Sequence, residues 1–381
     1  MRLAFVTSGL GAGGAEMMLY KLLTRLDPAR FRSAVFSLRG EEVFVPHLRA
    51  HGIAVHLAGL GGRGGLRGLG RLRQALADFR PDLLQGWMYH GSLAATLASW
   101  AGARRCPVLF GIRQSLYDVD EERWTTALVI RLAAAMSGRA THIVYNSRQG
   151  QTHHEAFGFD RARSVFIPNG FDTNAFAPSA LARQELRQEL GLAPDARLVG
   201  FIARYHPVKD HAGLLAAAAQ VHTIAPEVHF VLAGAGVDPD NTVLVQDILR
   251  RAMTDRVHLL GARTDVPHIT AGLDIAVCAS LAEGFPNVVG EAMSSGVPCV
   301  VTGVGDCPEI IGATGALVPP RDPGAMAAAL VRLLALPPDG RHAMGQAARA
   351  RIKTLYSIDA VVRQYEDLYL KVQSMGDLCA A

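Results

Sequence analysis

No run of about 18 uncharged apolar residues occurs in the 381-residue sequence, although hydrophobic residues make up 50% of it. That absence argues against a transmembrane helix. Met1-Arg2-Leu3 leads straight into strand-like residues rather than into a signal peptide. Cysteines are few: Cys106, Cys278, Cys299, Cys307 and Cys379 are scattered, odd in number and without a CxxC pair. They suit neither a disulfide framework nor a zinc site, and fit a reduced, cytoplasmic protein. Aromatic residues make up 7%, and none sits among the clustered arginines, so no nucleic-acid partner is expected. Charged residues are held to 19%, which leaves apolar material for two cores and excludes extended disorder.

Acidic residues are missing from one stretch. Between Glu42 and Asp78 there is none, while Arg49, Arg63, Arg67, Arg71 and Arg73 all fall there. Residues 1–178 carry 21 Lys and Arg against 13 Asp and Glu, and the remainder 17 against 21, within a net charge of +4. The glycine-rich basic segment 59–73 suits an anionic surface or substrate, and equally a loop running into a solvated helix. The 14 histidines show no ligand spacing. His153 and His154 are helix neighbours, which point apart, and they read as a solvated face.

What the sequence has in abundance is short β-rich runs alternating with helical stretches, the pattern of parallel sheets covered on both faces. Runs at 3–7, 33–37, 53–57, 83–85, 107–110 and 142–145 form a first series. Residues 167–178 pack two prolines and several turn formers into twelve positions, the composition of a linker. A second series follows at 198–202, 229–233, 257–260, 275–278, 298–302 and 315–318, then helices at about 323–336 and 358–373. The last helix places Val361, Val362, Tyr365, Leu368 and Tyr369 on one face. The fold class is therefore α/β, with two doubly wound, Rossmann-like domains over residues 1–176 and 177–357. Ligands are expected at the carboxyl ends of the strands, in a cleft between domains.

The turn Gly9-Leu10-Gly11-Ala12-Gly13-Gly14-Ala15 follows the first strand and opens a helix. Glycines there let backbone approach a phosphate, and the helix start supplies partial positive charge. A nicotinamide site would want an acidic residue at the end of the second strand; this strand ends Ser37-Leu38-Arg39, which argues against a dehydrogenase. In the second half, Arg204 and Lys209 stand around a proline-bearing turn at a strand end. Two such cations can clamp a diphosphate, although solvated charges on a surface turn give the same pattern.

Glu283 and Glu291 enclose seven residues, Gly284-Phe285-Pro286-Asn287-Val288 followed by Val289 and Gly290. A helix starting there leaves the N–H groups of residues 285–288 for sugar and phosphate oxygens. Glu291, one turn into that helix, can accept from a vicinal diol such as a ribose, and Glu283 from hexose hydroxyls. Glu291 alone would be an ordinary choice to complement the helix dipole. Asp238-Pro239-Asp240 spells an acidic pair of the metal-binding kind, but it follows a glycine-rich turn and reads as a solvated loop. No metal is expected.

The paired glutamates with Gly-Phe-Pro-Asn between them, the Arg204/Lys209 pair and the Asn169-Gly170-Phe171-Asp172 linker resemble the family 4 retaining glycosyltransferases, which have the GT-B fold. The likeness runs along essentially the whole chain and is closest to bacterial members that build lipopolysaccharide, capsule or exopolysaccharide. Trp87-Met88-Tyr89-His90 and Gly111-Ile112-Arg113-Gln114-Ser115 look like segments of that branch. The resemblance implies hexosyl transfer from a nucleotide sugar, with UDP favoured by its frequency, to a hydroxyl of a saccharide or lipid-diphosphate-linked acceptor. It implies retention of anomeric configuration and no cofactor.

By the same resemblance, Arg204 and Lys209 would neutralise the leaving diphosphate, Glu291 would bind ribose and Glu283 the transferred sugar. The backbone of Arg263 would contact the base, Gly13 and Gly14 would let phosphate and acceptor approach, and the last helix would cross back onto the first domain. The basic first domain suggests the cytoplasmic face of a membrane. Many relatives carry a histidine after a strand of the first domain where this chain has Arg113. His90 is the first candidate to replace it and Arg113 the second; a structural, backbone-bonded His90 is an equal reading. A sugar-nucleotide epimerase on the same fold and a non-catalytic sugar-nucleotide-binding protein are the alternatives. The glutamate pair favours transfer over the first, and the intact clamp argues against the second.

Overall fold

The computed structural model describes residues 1–60, 65–101, 106–119 and 123–378, so Arg63 of the basic stretch and Cys379 lie outside the described residues. The chain folds as two compact units, one of Met1–Gly170 with Ile358–Ala381 and one of Phe171–Ser357.

The first unit runs β1 (Arg2–Thr7), α1 (Gly14–Leu23), β2 (Arg32–Ser37), α2 (Phe44–Ala50), β3 (Ala54–Leu57), α3 (Gly65–Phe79), β4 (Leu83–Trp87), α4 (Met88–Ala101), β5 (Val108–Ile112), α5 (Trp124–Met136), β6 (His142–Tyr145), α6 (Arg148–Phe157) and β7 (Ser164–Phe166). Its strands are parallel, in the order β3-β2-β1-β4-β5-β6-β7. Every residue of β4 and β5 is buried, as central strands covered on both faces require. Right-handed crossovers moving outward in opposite directions from β1 put their helices on opposite faces. Accordingly α1 and α2 share one core, around Leu19, Leu22 and Val45, while α3, α4 and α5 share another, around Leu72, Ala95 and Ile130.

The second unit runs α7 (Ala180–Glu189), β8 (Leu198–Ile202), α8 (His211–Ile224), β9 (His229–Ala233), α9 (Thr242–Arg250), β10 (Val257–Leu259), α10 (Val266–Gly272), β11 (Ile275–Cys278), α11 (Asn287–Ser294), β12 (Cys299–Thr302), α12 (Cys307–Ile311), β13 (Ala316–Val318), α13 (Pro323–Leu334) and α14 (Pro338–Leu355). Its parallel order is β10-β9-β8-β11-β12-β13. A buried carboxylate ties α7 to the start of β8: Asp274 accepts from Arg187 at 2.7 Å, from Arg183 at 2.6 Å and from Leu198 N–H at 2.8 Å. The final helix α15 (Ile358–Leu378) returns to the first unit. It buries Val361, Val362, Tyr365, Leu368 and Tyr369, the face its sequence predicts, and Tyr369 O–H donates to Gln85 at 2.7 Å.

Three details differ from the sequence reading. A short edge strand, β7, precedes the linker where none is expected. The units divide at Gly170–Phe171, ahead of residue 176. Phe171 already belongs to the second unit: its N–H donates to Tyr356 O at 2.8 Å, and its ring fills the space above Gly290, where a Cβ would come within 2.1 Å of it. Finally, His154 is not part of a solvated face. It is fully buried, between Tyr89 O–H at 2.6 Å and Gly150 O at 2.6 Å, because α6 turns its Gly150–His154 side to the sheet.

Each sheet reverses strand order once beside its first strand, between β1 and β4 and between β8 and β11. In a doubly wound sheet the loops leaving the carboxyl ends on either side of such a reversal diverge and open a crevice for ligands. The segments concerned are the loop 8–13 with the junction of β4 and α4 at Trp87–Met88 in the first unit, and the loops 203–210 and 279–286 in the second.

Candidate functional site

In the second unit, two backbone hydrogen bonds carry the chain past β8, Ala203 N–H to Ala233 O at 2.9 Å and Tyr205 N–H to Ala235 O at 2.8 Å. A single 3-10 turn, Pro207–Lys209, follows. Asp210 then adopts the left-handed region, φ +53°, and its carboxylate caps α8 by accepting from Gly213 N–H at 3.0 Å. A non-glycine residue there costs about 1–2 kcal/mol. It turns the chain so that the largely buried Lys209 ammonium meets Glu283 Oε1. Ser280 Oγ donates to that same oxygen at 2.7 Å. Leu281 N–H to Val208 O, 2.8 Å, joins the two loops, and Thr302 Oγ1 to Ser280 O, 2.6 Å, anchors the second.

The turn from Gly284 to Val288 is fixed from below. Phe285 is buried against Phe171 and Tyr356, with ring centroids 6.0 and 5.8 Å away, and Gly284 O accepts from Asp306 N–H at 2.9 Å. α11 then begins at Asn287 behind Pro286 with no side-chain cap. Its leading N–H groups and the partial positive charge of the helix start are thus presented beside the Lys209 loop. Glu291 stands half-buried one turn further on. Arg204 is exposed and makes no hydrogen bond or ion pair with a described residue. The Arg263 guanidinium is taken up by Asp265, 2.7 Å, and Glu189, 2.5 Å, which raise its pKa and leave its backbone as the part available to a ligand. Asp238 Oδ1 accepts from Asp240 N–H at 3.2 Å, and among the described residues no three His, Cys, Asp or Glu side chains are grouped to hold a metal ion.

In the first unit the glycine turn is lined by acid. A Cβ on Gly13 would lie 2.2 Å from Glu16 Oε2, so that carboxylate folds back over the turn, and Leu10 N–H donates to Glu42. Burial, with help from the Glu42 charge, holds the Glu16 carboxyl above the ordinary range. A phosphate approaching Gly13 and Gly14 would have to displace or protonate Glu16; a hydroxyl would not. After β4, Met88 is left-handed, φ +64°, the counterpart of Asp210 in the other unit. Backbone strain of this kind concentrates at functional sites. It brings out His90, exposed in the first turn of α4, its pKa lowered by desolvation first and the Arg39 charge second.

Arg113, at the end of β5, is buried instead. Its guanidinium lies 4.2 Å from the Trp87 ring and 5.5 Å from that of Tyr365, and donates to Asn169 Oδ1 at 3.3 Å. Its Nε and second terminal nitrogen have no hydrogen-bond partner among the described residues, and burial pushes its pKa down to about 9. His90 therefore stands where a ligand can reach it, while Arg113 stands behind the surface. A groove of about 770 Å³ beside β3 and α3, lined by Arg32, His56, Arg71 and Asp78, contains none of these residues.

Ser280, Glu16, Met88 and Asp210 escape the sequence reading, since each matters through a neighbour remote in sequence or a backbone angle. Lys209 had a signal of its own: it is one of four lysines against 34 arginines. A chain that draws its cations almost entirely from arginine places a compact ammonium where it must fit beside Glu283.

Residues 12–175 match the family model described as Glycosyltransferase Family 4, and residues 196–336 that described as Glycosyl transferases group 1. The chain is 25% identical over 319 residues to the glycosyltransferase EpsF of Bacillus subtilis, covering 79% of each protein. It is 31% identical over 223 residues to the UDP-Gal:alpha-D-GlcNAc-diphosphoundecaprenol alpha-1,3-galactosyltransferase of Escherichia coli, covering 55% of each. Curated relatives after EpsF are matched over 44% to 55% of their own length. Among solved structures, Anabaena HepE in complex with UDP is similar with a TM-score of 0.85 and 25% identity, over 97% of this chain and 100% of that one.

Proposed function

Because the chain belongs to the family 4 glycosyltransferases of GT-B fold, we propose that it moves a hexosyl group from a UDP-sugar to a saccharide hydroxyl, with retention, on a lipid-diphosphate-linked acceptor. The observation that carries this reading is the junction of Ser280, Glu283 and Lys209 beside the start of α11, at the strand reversal of the second unit. UDP is favoured because HepE has been seen with UDP and with UDP-glucose. The lipid-linked acceptor is favoured by the printed activity of the Escherichia coli relative.

In this reading Lys209 exchanges Glu283 for oxygens of the diphosphate, and Glu283 then accepts from a hydroxyl of the sugar. Arg204 and the N–H groups of residues 285–288 take the remaining phosphate charge. Glu291 accepts from the ribose diol, and the Arg263 backbone meets the base. Transition-state charge on the leaving diphosphate is met by preorganised cations and dipoles, so no metal is called for. The bond from the anomeric carbon to phosphate breaks, the bond to the acceptor oxygen forms on the same face, and the departing phosphate oxygen takes the acceptor proton. No protein nucleophile is required. In the first unit His90 contacts the sugar or acceptor, Gly13 and Gly14 keep the backbone low at the approach of the acceptor, and Arg113 holds the wall behind. The protein works at the cytoplasmic face of a membrane, in the building of a cell-surface polysaccharide.

Calorimetric titration with UDP and with GDP tests the donor site. Micromolar binding of UDP that disappears in Glu291→Ala and in Lys209→Ala is the expected result. Preference for GDP overturns the nucleotide, and binding unchanged in both variants overturns the site.

A further inference from the structure

Half of the exposed large apolar side chains among the described residues of the first unit stand on two adjoining helices, α4 and α5. Trp124, Leu128 and Leu132 recur every fourth residue along α5, Trp124 with 78% of its surface exposed, and Leu97 and Trp100 stand out from α4. The two helices pack side by side, and the Arg139 guanidinium just beyond α5 lies 4.9 Å from the Trp100 ring. The inward side of α5 is already satisfied by Ala127, Ile130 and Ala133. A helix with a covered core face would ordinarily be polar on the other, so a second apolar stripe calls for a second apolar environment.

The chemistry of the stripe is interfacial. Neither α4 nor α5 contains an acidic residue, and Arg123, Arg131 and Arg139 are exposed beside the tryptophans and leucines. Tryptophan and arginine both combine an apolar body with a polar end and settle where hydrocarbon meets headgroups. Asp118, Asp120, Glu121 and Glu122 precede α5 in the sequence and oppose attraction to anionic lipid, so apolar insertion has to supply most of the binding. Both helices follow parallel strands and therefore begin at the carboxyl edge of the sheet: His90 lies in the first turn of α4 and Trp124 opens α5. The stripe starts at the edge where an acceptor hydroxyl has to arrive.

We propose that the α4–α5 face seats the first unit on a lipid bilayer containing anionic headgroups, with Trp124, Leu128, Leu132, Leu97 and Trp100 entering the acyl boundary. The inference rests on the reading of a lipid-linked acceptor, whose apolar anchor this placement brings beside the unit that receives its saccharide. The basic helix α3 covers the same face of the sheet and adds exposed Arg67 and Arg73, but Leu69 is the one large apolar side chain it exposes among its described residues. It serves as an electrostatic contact rather than an inserted one.

Flotation of the full chain with phosphatidylcholine vesicles, alone or mixed with phosphatidylglycerol, tests the surface. Wild type should float with both, and more strongly with the anionic mixture at low salt. Its tryptophan emission should shift to the blue, since two of its three tryptophans lie on the stripe and Trp87 is buried. Trp124→Ser with Leu128→Ser should reduce the floated fraction about tenfold or more, while UDP binding and transfer to a lipid-free acceptor stay unchanged. A wild type that does not float, or a double variant that floats equally well, overturns the proposal. So does a sedimenting dimer that the double substitution dissolves, which would make the face a contact between two copies. Flotation without UDP binding or transfer would leave the surface standing and remove the reading of function; binding and transfer without flotation would do the reverse.

Discussion

Ser280 Oγ donates to Glu283 Oε1 at 2.7 Å, and that oxygen is the one that receives the Lys209 ammonium. Ser280 thus fixes the carboxylate that the proposed mechanism turns toward the sugar, without needing to touch the nucleotide.

Ser280→Ala should therefore separate the two halves of the donor. We expect kcat/KM with the UDP-sugar to fall about tenfold, equivalent to about 1.4 kcal/mol, the range of a lost hydrogen bond to a charged group. The Kd for UDP measured by calorimetry should stay the same. An equal loss of UDP affinity would put Ser280 at the diphosphate instead.

The Lys209–Glu283 pair is mostly buried, with side-chain exposures of 21% and 12%. Removing one partner should strand the other. Lys209→Met is expected to cost about 1–3 kcal/mol of stability, and adding Glu283→Gln should restore most of it. Urea unfolding of the four proteins in a double-mutant cycle checks this; strictly additive effects would mean the pair contributes nothing to the fold.

His154 gives the first unit an acid-sensitive point. Its Nδ1–H donates to Gly150 O and its Nε2 accepts from Tyr89 O–H, an arrangement for the neutral ring, and burial lowers its pKa from 6.5 to about 4. Above pH 6.5 the ring is neutral whether the chain is folded or not. Below it the unfolded chain takes up a proton that the folded one refuses, so stability falls between about pH 6.5 and pH 4, by up to about 3 kcal/mol for this group. His211 and His229, also lowered to about 4, add to the same fall in the second unit. Denaturation across this range should show a shallower acid limb in His154→Gln.

Arg113 stands in the opposite situation, charged and buried with no carboxylate facing it among the described residues. The fold gains little from the charge. Arg113→Met should leave no ion stranded and is expected to raise the unfolding free energy by about 1–4 kcal/mol. A lower melting temperature would show that the Trp87 and Tyr365 contacts outweigh the burial of charge.

The architecture was legible because strands buried on both faces must be near-continuous apolar runs, and β4, β5, β8 and β9 are such runs. The loop 283–291 was legible because its residues act where they stand in sequence: a glutamate, a Phe-Pro turn, a helix start, a second glutamate. β7 was not, being three residues whose pairing depends on β6. The burial of His154 depends on Tyr89, remote in sequence, and helical spacing alone does not say which side of α6 meets the sheet. The acid over the glycine turn is equally non-local in part, since Glu42 reaches Leu10 from beyond β2.

The return of α15 to the first unit has a consequence for how the chain is made. Residues 171–357 are an insertion within the unit that begins at Met1. As the chain leaves the ribosome the inserted unit is whole, and free to fold, while the outer one still lacks the helix that supplies Val361, Tyr365, Tyr369 and Val372 to its core. Phe5 and Phe31, which meet the Tyr369 ring at 6.3 and 6.0 Å, stay uncovered until then. The part synthesised first is completed last, and that interval is when a nascent chain of this kind is most exposed to aggregation and most in need of a chaperone.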